Sequence, residues 1–145
     1  MNKQDEQDKR TKEVFGGDYE PDFDKAVAAF FEHLSQHLKL PCEVTGIEDF
    51  QWEEPYVFGG WDKSEYEQLK KTQPSYTDRY ELLKIEQDDR SGWIMCGEDD
   101  IAARVRRISD GKKFILGLSE IKATDKKSTN YQLVDDYAVW FVNAR

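Results

Sequence analysis

The strongest local signal in the sequence is the turn Ser109-Asp110-Gly111-Lys112. An Asp-Gly pair between two stretches that alternate apolar and polar residues is typical of a tight β-hairpin. The apolar sets that would face each other in this hairpin are Ile101, Ala103 and Val105 before the turn and Phe114, Leu116 and Leu118 after it. The chain is therefore predicted to contain an antiparallel sheet.

Other segments of the second half share this period of two. Residues 80–86, 92–96, 101–108, 113–118 and 137–142 are each predicted to form a strand, and a short strand is predicted at 43–45. Five short strands in this second half fit a small, strongly bent antiparallel sheet or a partly open, SH3-like barrel.

The first half favours helices. Apolar residues recur at helical spacing over 22–39, after the candidate cap Asp22 and before the stop Leu40-Pro41. Residues 50–79 predict a long aromatic loop with a short helix that begins at Ser64. Residues 1–18 are polar and predict a disordered tail. The expected architecture is one α+β domain over 19–145, with an N-terminal helix and a helix-bearing insertion.

The charge of the chain limits its partners. Thirty acidic and 21 basic residues among 145 give a formal net charge of −9. Such a field repels nucleic-acid phosphates and anionic membranes and attracts cations and basic partners. The sequence has no signal peptide and no apolar run of the ~20 residues that a membrane helix needs. Together with two isolated cysteines, this predicts a cytoplasmic protein that binds neither nucleic acid nor membrane.

Catalytic signatures are missing from the sequence. It has no nucleophile elbow, no phosphate-binding glycine loop and no cysteine with a recognisable histidine partner. His33 and His37 lie four residues apart, but the sequence EHLSQH is not a zinc-protease motif and signals no third ligand. We interpret them as histidines at the edge of the apolar face, and we do not expect an enzyme.

The acidic residues are clustered along the chain. Calcium takes six to eight oxygen ligands, but no cluster matches the spacing of an EF-hand loop. A calcium site would therefore combine distant segments, or the acids would form a diffuse surface. The clusters are Glu48-Asp49, Glu53-Glu54, Asp88-Asp89, Glu98-Asp99-Asp100 and Asp135-Asp136.

Three segments resemble a known family. They are similar to motifs of small bacterial calcium-binding proteins first known from cyanobacteria. The three segments are Leu38-Lys39-Leu40-Pro41 with the following Cys42-Glu43-Val44, then Leu116-Gly117-Leu118-Ser119-Glu120-Ile121, and last the closing stretch QLVDDYAVW. The resemblance covers the first predicted helix and roughly the last fifty residues. It implies an acidic cytoplasmic protein that buffers or senses calcium without EF-hands.

The resemblance also implies a set of ligands. By position, Glu43, Glu120, Asp135 and Asp136 match the acids of the family motifs. The densest acidic segment adds Glu98, Asp99 and Asp100 as secondary candidates. We expect low-affinity calcium binding, with Asp135 and Asp136 held at the start of the last predicted strand, where a divalent ion would relieve their repulsion.

A second hypothesis is a protein-interaction module. Small bent sheets bind peptides on aromatic surfaces, and the loop with Trp52, Tyr56, Phe58 and Trp61 lies beside many acids. This alternative predicts a basic or proline-rich protein partner.

Overall fold

A computed structural model describes residues 2–59, 62–87 and 100–144. Its helices are α1 (Lys3–Phe15), α2 (Phe23–His37), α3 (Glu54–Val57), α4 (Lys63–Leu69) and α5 (Thr129–Ala144). Its strands are β1 (Cys42–Gly46), β2 (Arg79–Glu86), β3 (Ala102–Arg107), β4 (Lys113–Gly117) and β5 (Ile121–Ala123). Short 3₁₀ turns lie at Gln51–Glu53 and Leu118–Glu120.

The strands form one antiparallel sheet in the order β4-β3-β2-β1-β5. The sheet is not closed, so the predicted α+β fold with a partly open sheet is confirmed. The SH3-like character of this partly open sheet stays a prediction. Strand β5 is not predicted from the sequence, because its three residues are too few to show a period of two.

The predicted hairpin is confirmed as β3 and β4, which pair from Ala102↔Gly117 to Arg106↔Lys113. Gly111 lies in the turn with φ +76°, a conformation that side chains disfavour and glycine adopts readily. The strands predicted at 43–45 and 80–86 are confirmed as β1 and β2. The strand predicted at 92–96 lies outside the described residues.

The strand predicted at 137–142 is wrong, because this segment belongs to helix α5. Its aromatic and β-branched residues favour strands, but β-propensity depends strongly on tertiary context. Leu133, Tyr137, Trp140 and Phe141 recur at helical spacing and are all buried, which is the stripe that a helix needs to pack. The Oγ of Ser128 accepts a hydrogen bond from the Tyr131 N–H (3.1 Å) and so caps the first turn.

The tail predicted over 1–18 is also wrong for Lys3–Phe15, which form α1. Asn2 caps this helix by accepting a hydrogen bond from the Asp5 N–H (2.8 Å), and Gly16 ends it with φ +81°. No residue of α1 is buried. A helix that buries no residue can be as polar as a disordered segment, which is why its composition was misleading. Polar contacts with α5, together with the partly buried Val14 and Phe15, hold it on the fold.

The core lies between the sheet and the two long helices α2 and α5. The helix predicted over 22–39 is confirmed as α2, and its buried face is formed by Ala26, Val27, Phe30 and Leu34. Phe30 packs against Tyr137 and Trp140 of α5, with ring centres 5.4 and 5.2 Å apart. Aromatic pairs at these distances add to the hydrophobic gain from burial.

A buried carboxylate organises the insertion before β2. Glu53 is 0% exposed and accepts hydrogen bonds from the Tyr66 hydroxyl (2.6 Å), the Ser75 hydroxyl (2.7 Å) and the N–H groups of Phe50 (3.2 Å) and Tyr76 (2.8 Å). Four donors offset the cost of removing this charge from water. Glu53 therefore ties α4 to the segment that leads into β2.

A buried guanidinium joins the same insertion to the hairpin. Arg107 is 3% exposed and bonds the carboxylates of Asp110 (2.7 and 3.0 Å) and Asp78 (3.0 Å). It also donates to the carbonyls that follow α4, namely those of Lys70, Lys71 and Gln73. These contacts raise the pKa of Arg107, chiefly through its hydrogen bonds to Asp110.

Replacing Arg107 should destabilise the whole fold. In Arg107→Met, Asp78, Asp110 and three carbonyl groups each lose a donor, and breaking a buried ion pair from one side costs about 3–5 kcal/mol. Urea unfolding monitored by tryptophan fluorescence measures this loss. The control is Arg106→Met on the neighbouring, half-exposed side chain, whose exposed pair with Glu81 contributes at most about 1 kcal/mol. Equal losses in the two variants would contradict the structural role of Arg107.

The contact with Arg107 also predicts a pH dependence. It holds the pKa of Asp110 at about 2, below the usual 3.8. Because the pKa is lowered in the folded state, the stabilisation is complete above about pH 4 and is lost as the pH falls through 2. The stability difference between wild type and Asp110→Asn should therefore shrink between pH 4 and pH 2 in urea titrations. A difference that stays constant over this range would refute the assignment.

Candidate functional site

The acid pair Asp135-Asp136 lies in the middle of α5 and not at a strand entry. Neighbouring residues of a helix point about 100° apart, so the two carboxylates have different surroundings. Asp136 is 6% exposed and faces α1, whereas Asp135 is half-buried. The side chain of Gln7 bridges the two, donating to Asp135 Oδ2 (3.0 Å) and to Asp136 Oδ1 (2.9 Å).

Arg10 of α1 neutralises Asp136. Its Nε donates to Asp136 Oδ2 (2.7 Å) and its Nη2 to Asp136 Oδ1 (3.0 Å), which is the two-pronged geometry favoured by guanidinium and carboxylate. The hydrogen bond to Asp136 is the main reason that the pKa of Arg10 is raised. Both oxygens of Asp136 are therefore already engaged by α1.

Asp135 also borders a cavity, in addition to its contact with Gln7. It lines a cavity of about 310 Å³ together with Glu120, at the end of the 3₁₀ turn after β4, and Glu48, just after β1. The Ile47 N–H donates to the Glu120 carbonyl (2.9 Å), which fixes these two segments side by side. None of the described residues that line this cavity is Lys or Arg; the rest of its wall is formed by Ile47, Ser119, Ala138, Val139, Val142 and Asn143.

The structure places Glu43 elsewhere. Glu43 lies on β1, where its Oε2 accepts a hydrogen bond from the Thr124 hydroxyl (2.5 Å) and lies 3.8 Å from Arg79. It does not line the cavity that Asp135 and Glu120 share.

Asp100 is a buried structural carboxyl, 5% exposed. It accepts hydrogen bonds from the hydroxyls of Ser119 (2.5 Å) and Tyr137 (2.6 Å) and from the Ile101 N–H (2.8 Å). Burial raises the pKa of Asp100, although these hydrogen bonds oppose the shift. The other two residues of this acidic cluster, Glu98 and Asp99, lie outside the described residues.

Within residues 2–59, 62–87 and 100–144, no three His, Cys, Asp or Glu side chains form a group that could hold a metal ion by themselves. The sequence singled out Asp135 and Glu120, and the structure brings them to one cavity. Sequence reasoning did not select Glu48, although the pair Glu48-Asp49 was visible as an acidic cluster. It missed Gln7 and Arg10 because no local pattern reveals a contact across more than 120 residues.

The aromatic loop is mostly folded onto itself. Trp52 donates a hydrogen bond to the Pro74 carbonyl (2.6 Å), and Tyr56 stacks on Tyr66 with ring centres 5.3 Å apart. Phe58 is 80% exposed, and Trp61 lies outside the described residues. An interaction module on this loop stays a prediction.

No described helix is both long enough and apolar enough to cross a membrane.

Two solved structures share the α+β fold of this chain. The crystal structure of Anabaena CcbP matches with a TM-score of 0.58 and 17% identity, over 97% of this chain and 93% of that chain. A structure described as a calcium-binding protein in the calcium-binding form matches with a TM-score of 0.58 and 16% identity, over 99% and 93%. At these identities the likeness shows a shared fold. No protein-family model and no curated protein sequence matches the chain.

Removing Arg10 should loosen α1. In Arg10→Met, Asp136 keeps the hydrogen bond from Gln7 but loses both bonds from Arg10, and the loss of hydrogen bonds to a charged group costs about 1.5–3 kcal/mol. Amide hydrogen exchange in α1 should therefore become roughly ten- to a hundredfold faster. The control is Lys9→Met, which removes the same charge from the exposed side of the helix. Unchanged exchange in Arg10→Met would show that the apolar contacts of α1 hold it alone.

Proposed function

We propose that this protein binds calcium with low affinity in the cavity lined by Glu48, Glu120 and Asp135. One observation above all supports the proposal: two acids that the sequence selected on other grounds meet a third in a cavity whose described lining has no Lys or Arg. Carboxylate oxygens are the ligands that a hard divalent cation prefers.

The electrostatics of the chain support the same site. The formal net charge of −9 attracts cations over the whole surface. Other acids are already neutralised or hydrogen-bonded, such as Asp136 by Arg10 and Asp100 by Ser119 and Tyr137.

The affinity should be low for a structural reason. Among the described side chains no preformed group of three ligands exists, so water and backbone carbonyls must complete the six to eight oxygens that calcium requires. Asp135 also shares one oxygen with Gln7. Side chains must therefore rearrange when calcium binds, and the free energy of that rearrangement weakens binding.

The likeness of fold is consistent with this proposal, because one of the matching structures is described as the calcium-binding form of a calcium-binding protein. Binding of this kind serves a buffer or a sensor. A sensor would also change conformation, and Gln7 gives a route for this: it bonds Asp135 from α1, so a cation at Asp135 competes with that contact.

Calcium titration tests the proposal. Amide NMR should show saturable shifts around 47–48, 119–120 and 135–143, with magnesium weaker because it demands a stricter octahedral geometry. Glu120→Gln with Asp135→Asn should weaken calcium binding at least tenfold in calorimetry. The matched control, Asp24→Asn with Glu32→Gln, removes the same charge from exposed positions on α2 and should stay within about twofold of wild type.

Two outcomes would contradict the site. Equal weakening by the two double variants would mean that calcium responds only to net charge, as on a diffuse acidic surface. Wild-type affinity in Glu120→Gln with Asp135→Asn would place calcium elsewhere on the chain.

A further inference from the structure

We propose that His33 and His37 form a second metal site, for a divalent transition-metal cation of the copper or nickel type. The pair lies in the last turns of α2 and lines a cavity of about 350 Å³ between α1, α2 and α5. They are the two histidines of the chain. The inference is independent of calcium binding, since imidazole nitrogen suits these metals and calcium prefers oxygen.

The spacing of the rings fits a chelate. Their centres lie 4.5 Å apart, and their planes are 35° from parallel. A metal–nitrogen bond of about 2.0–2.1 Å puts each ring centre about 3.2 Å from the ion, so two imidazoles at about 90° have centres about 4.5 Å apart. Adjacent positions at about 90° are those of square-planar or octahedral coordination, which Cu²⁺ and Ni²⁺ favour over the tetrahedral geometry of zinc.

The hydrogen bond of His37 favours the tautomer that a metal needs. Its Nδ1 lies 2.8 Å from the His33 carbonyl oxygen, one turn back along α2. A carbonyl only accepts hydrogen bonds, so Nδ1 carries the proton and the lone pair is on Nε2. A backbone carbonyl that fixes the ring through one nitrogen is the usual support for a histidine that binds metal through the other.

The other charged residues of the cavity wall are Arg10, Glu13, Lys39 and Asp136. Arg10 is neutralised by Asp136. No third protein ligand is grouped with the two histidines among the described residues, so water completes the coordination.

Ni²⁺ titration of the full chain by calorimetry, in a buffer that does not bind metal, tests this site. We expect one Ni²⁺ per chain and at least a tenfold loss of affinity in His33→Gln and in His37→Gln. Gln36→Ala, on the same turn, is the matched control and should bind as wild type does. Cys42→Ser with Cys96→Ser should also leave the affinity unchanged, because the site uses no thiol.

A second measurement needs no variant. Cu²⁺ is paramagnetic, so it should erase the amide signals nearest the bound ion, and we expect the loss to centre on residues 33 and 37. Wild-type Ni²⁺ affinity in either histidine variant, loss of binding in the cysteine variant, or signal loss centred on residues 47–48 and 119–120 would overturn the proposal. Calcium binding in His33→Gln should equal that of wild type, so the two sites can fail separately.

Discussion

The packing of α5 against the sheet and α2 is the contact on which the rest of the structure depends. Its buried stripe supplies Leu133, Tyr137, Trp140 and Phe141 to the core. The Tyr137 hydroxyl also bonds the carboxyl of Asp100, just before β3, so the helix anchors the sheet by a polar contact as well as by apolar burial. The next positions of the same helix hold α1 and line the acidic cavity. The orientation of α5 about its own axis therefore determines which residues enter the core, which contact α1 and which line the acidic cavity.

Polar groups with many partners hold the parts of the fold that have little apolar surface. Glu53 and Arg107 fasten the insertion, and Asp136 fastens α1. Each is almost fully buried, and each is surrounded by several partners, as a buried charge requires. A strongly acidic composition therefore does not imply that every acid is available to a ligand. The carboxylates of Glu53 and Asp136 are committed to contacts within the fold.

Local sequence predicted the elements whose signals are local. The Asp-Gly turn located the hairpin, and the apolar stripe of α2 located the first core helix. The segment of α5 was misread, because Tyr137, Val139, Trp140 and Val142 favour strands in isolation. The burial of Tyr137 and Trp140 in the core favours the helix instead. The helix α1 was missed for the opposite reason, since its stability comes from Arg10 and a carboxylate far along the chain.

The candidate site likewise has features that the sequence predicted and features that it did not. Asp135 and Glu120 were recognisable as motif acids, and their meeting in one cavity follows from the register of α5 on the turn after β4. The separation of Asp135 from Asp136 was not predictable, because it requires knowing that the pair lies on a helix and which side α1 covers. The same holds for the two histidines. Their spacing is evident in the sequence, but the orientation of His37 toward a carbonyl is visible only in the structure.

The position of α5 along the chain also bears on how the protein is made. Ribosomes release the segments of a chain in order, and this helix follows every other described element. Until it emerges, the apolar faces of α2 and the sheet have no cover, and Arg10 has no carboxylate to meet. The segment that precedes α5 would therefore carry exposed aromatic surface until this helix emerges, and that is the interval when a chaperone has most to bind.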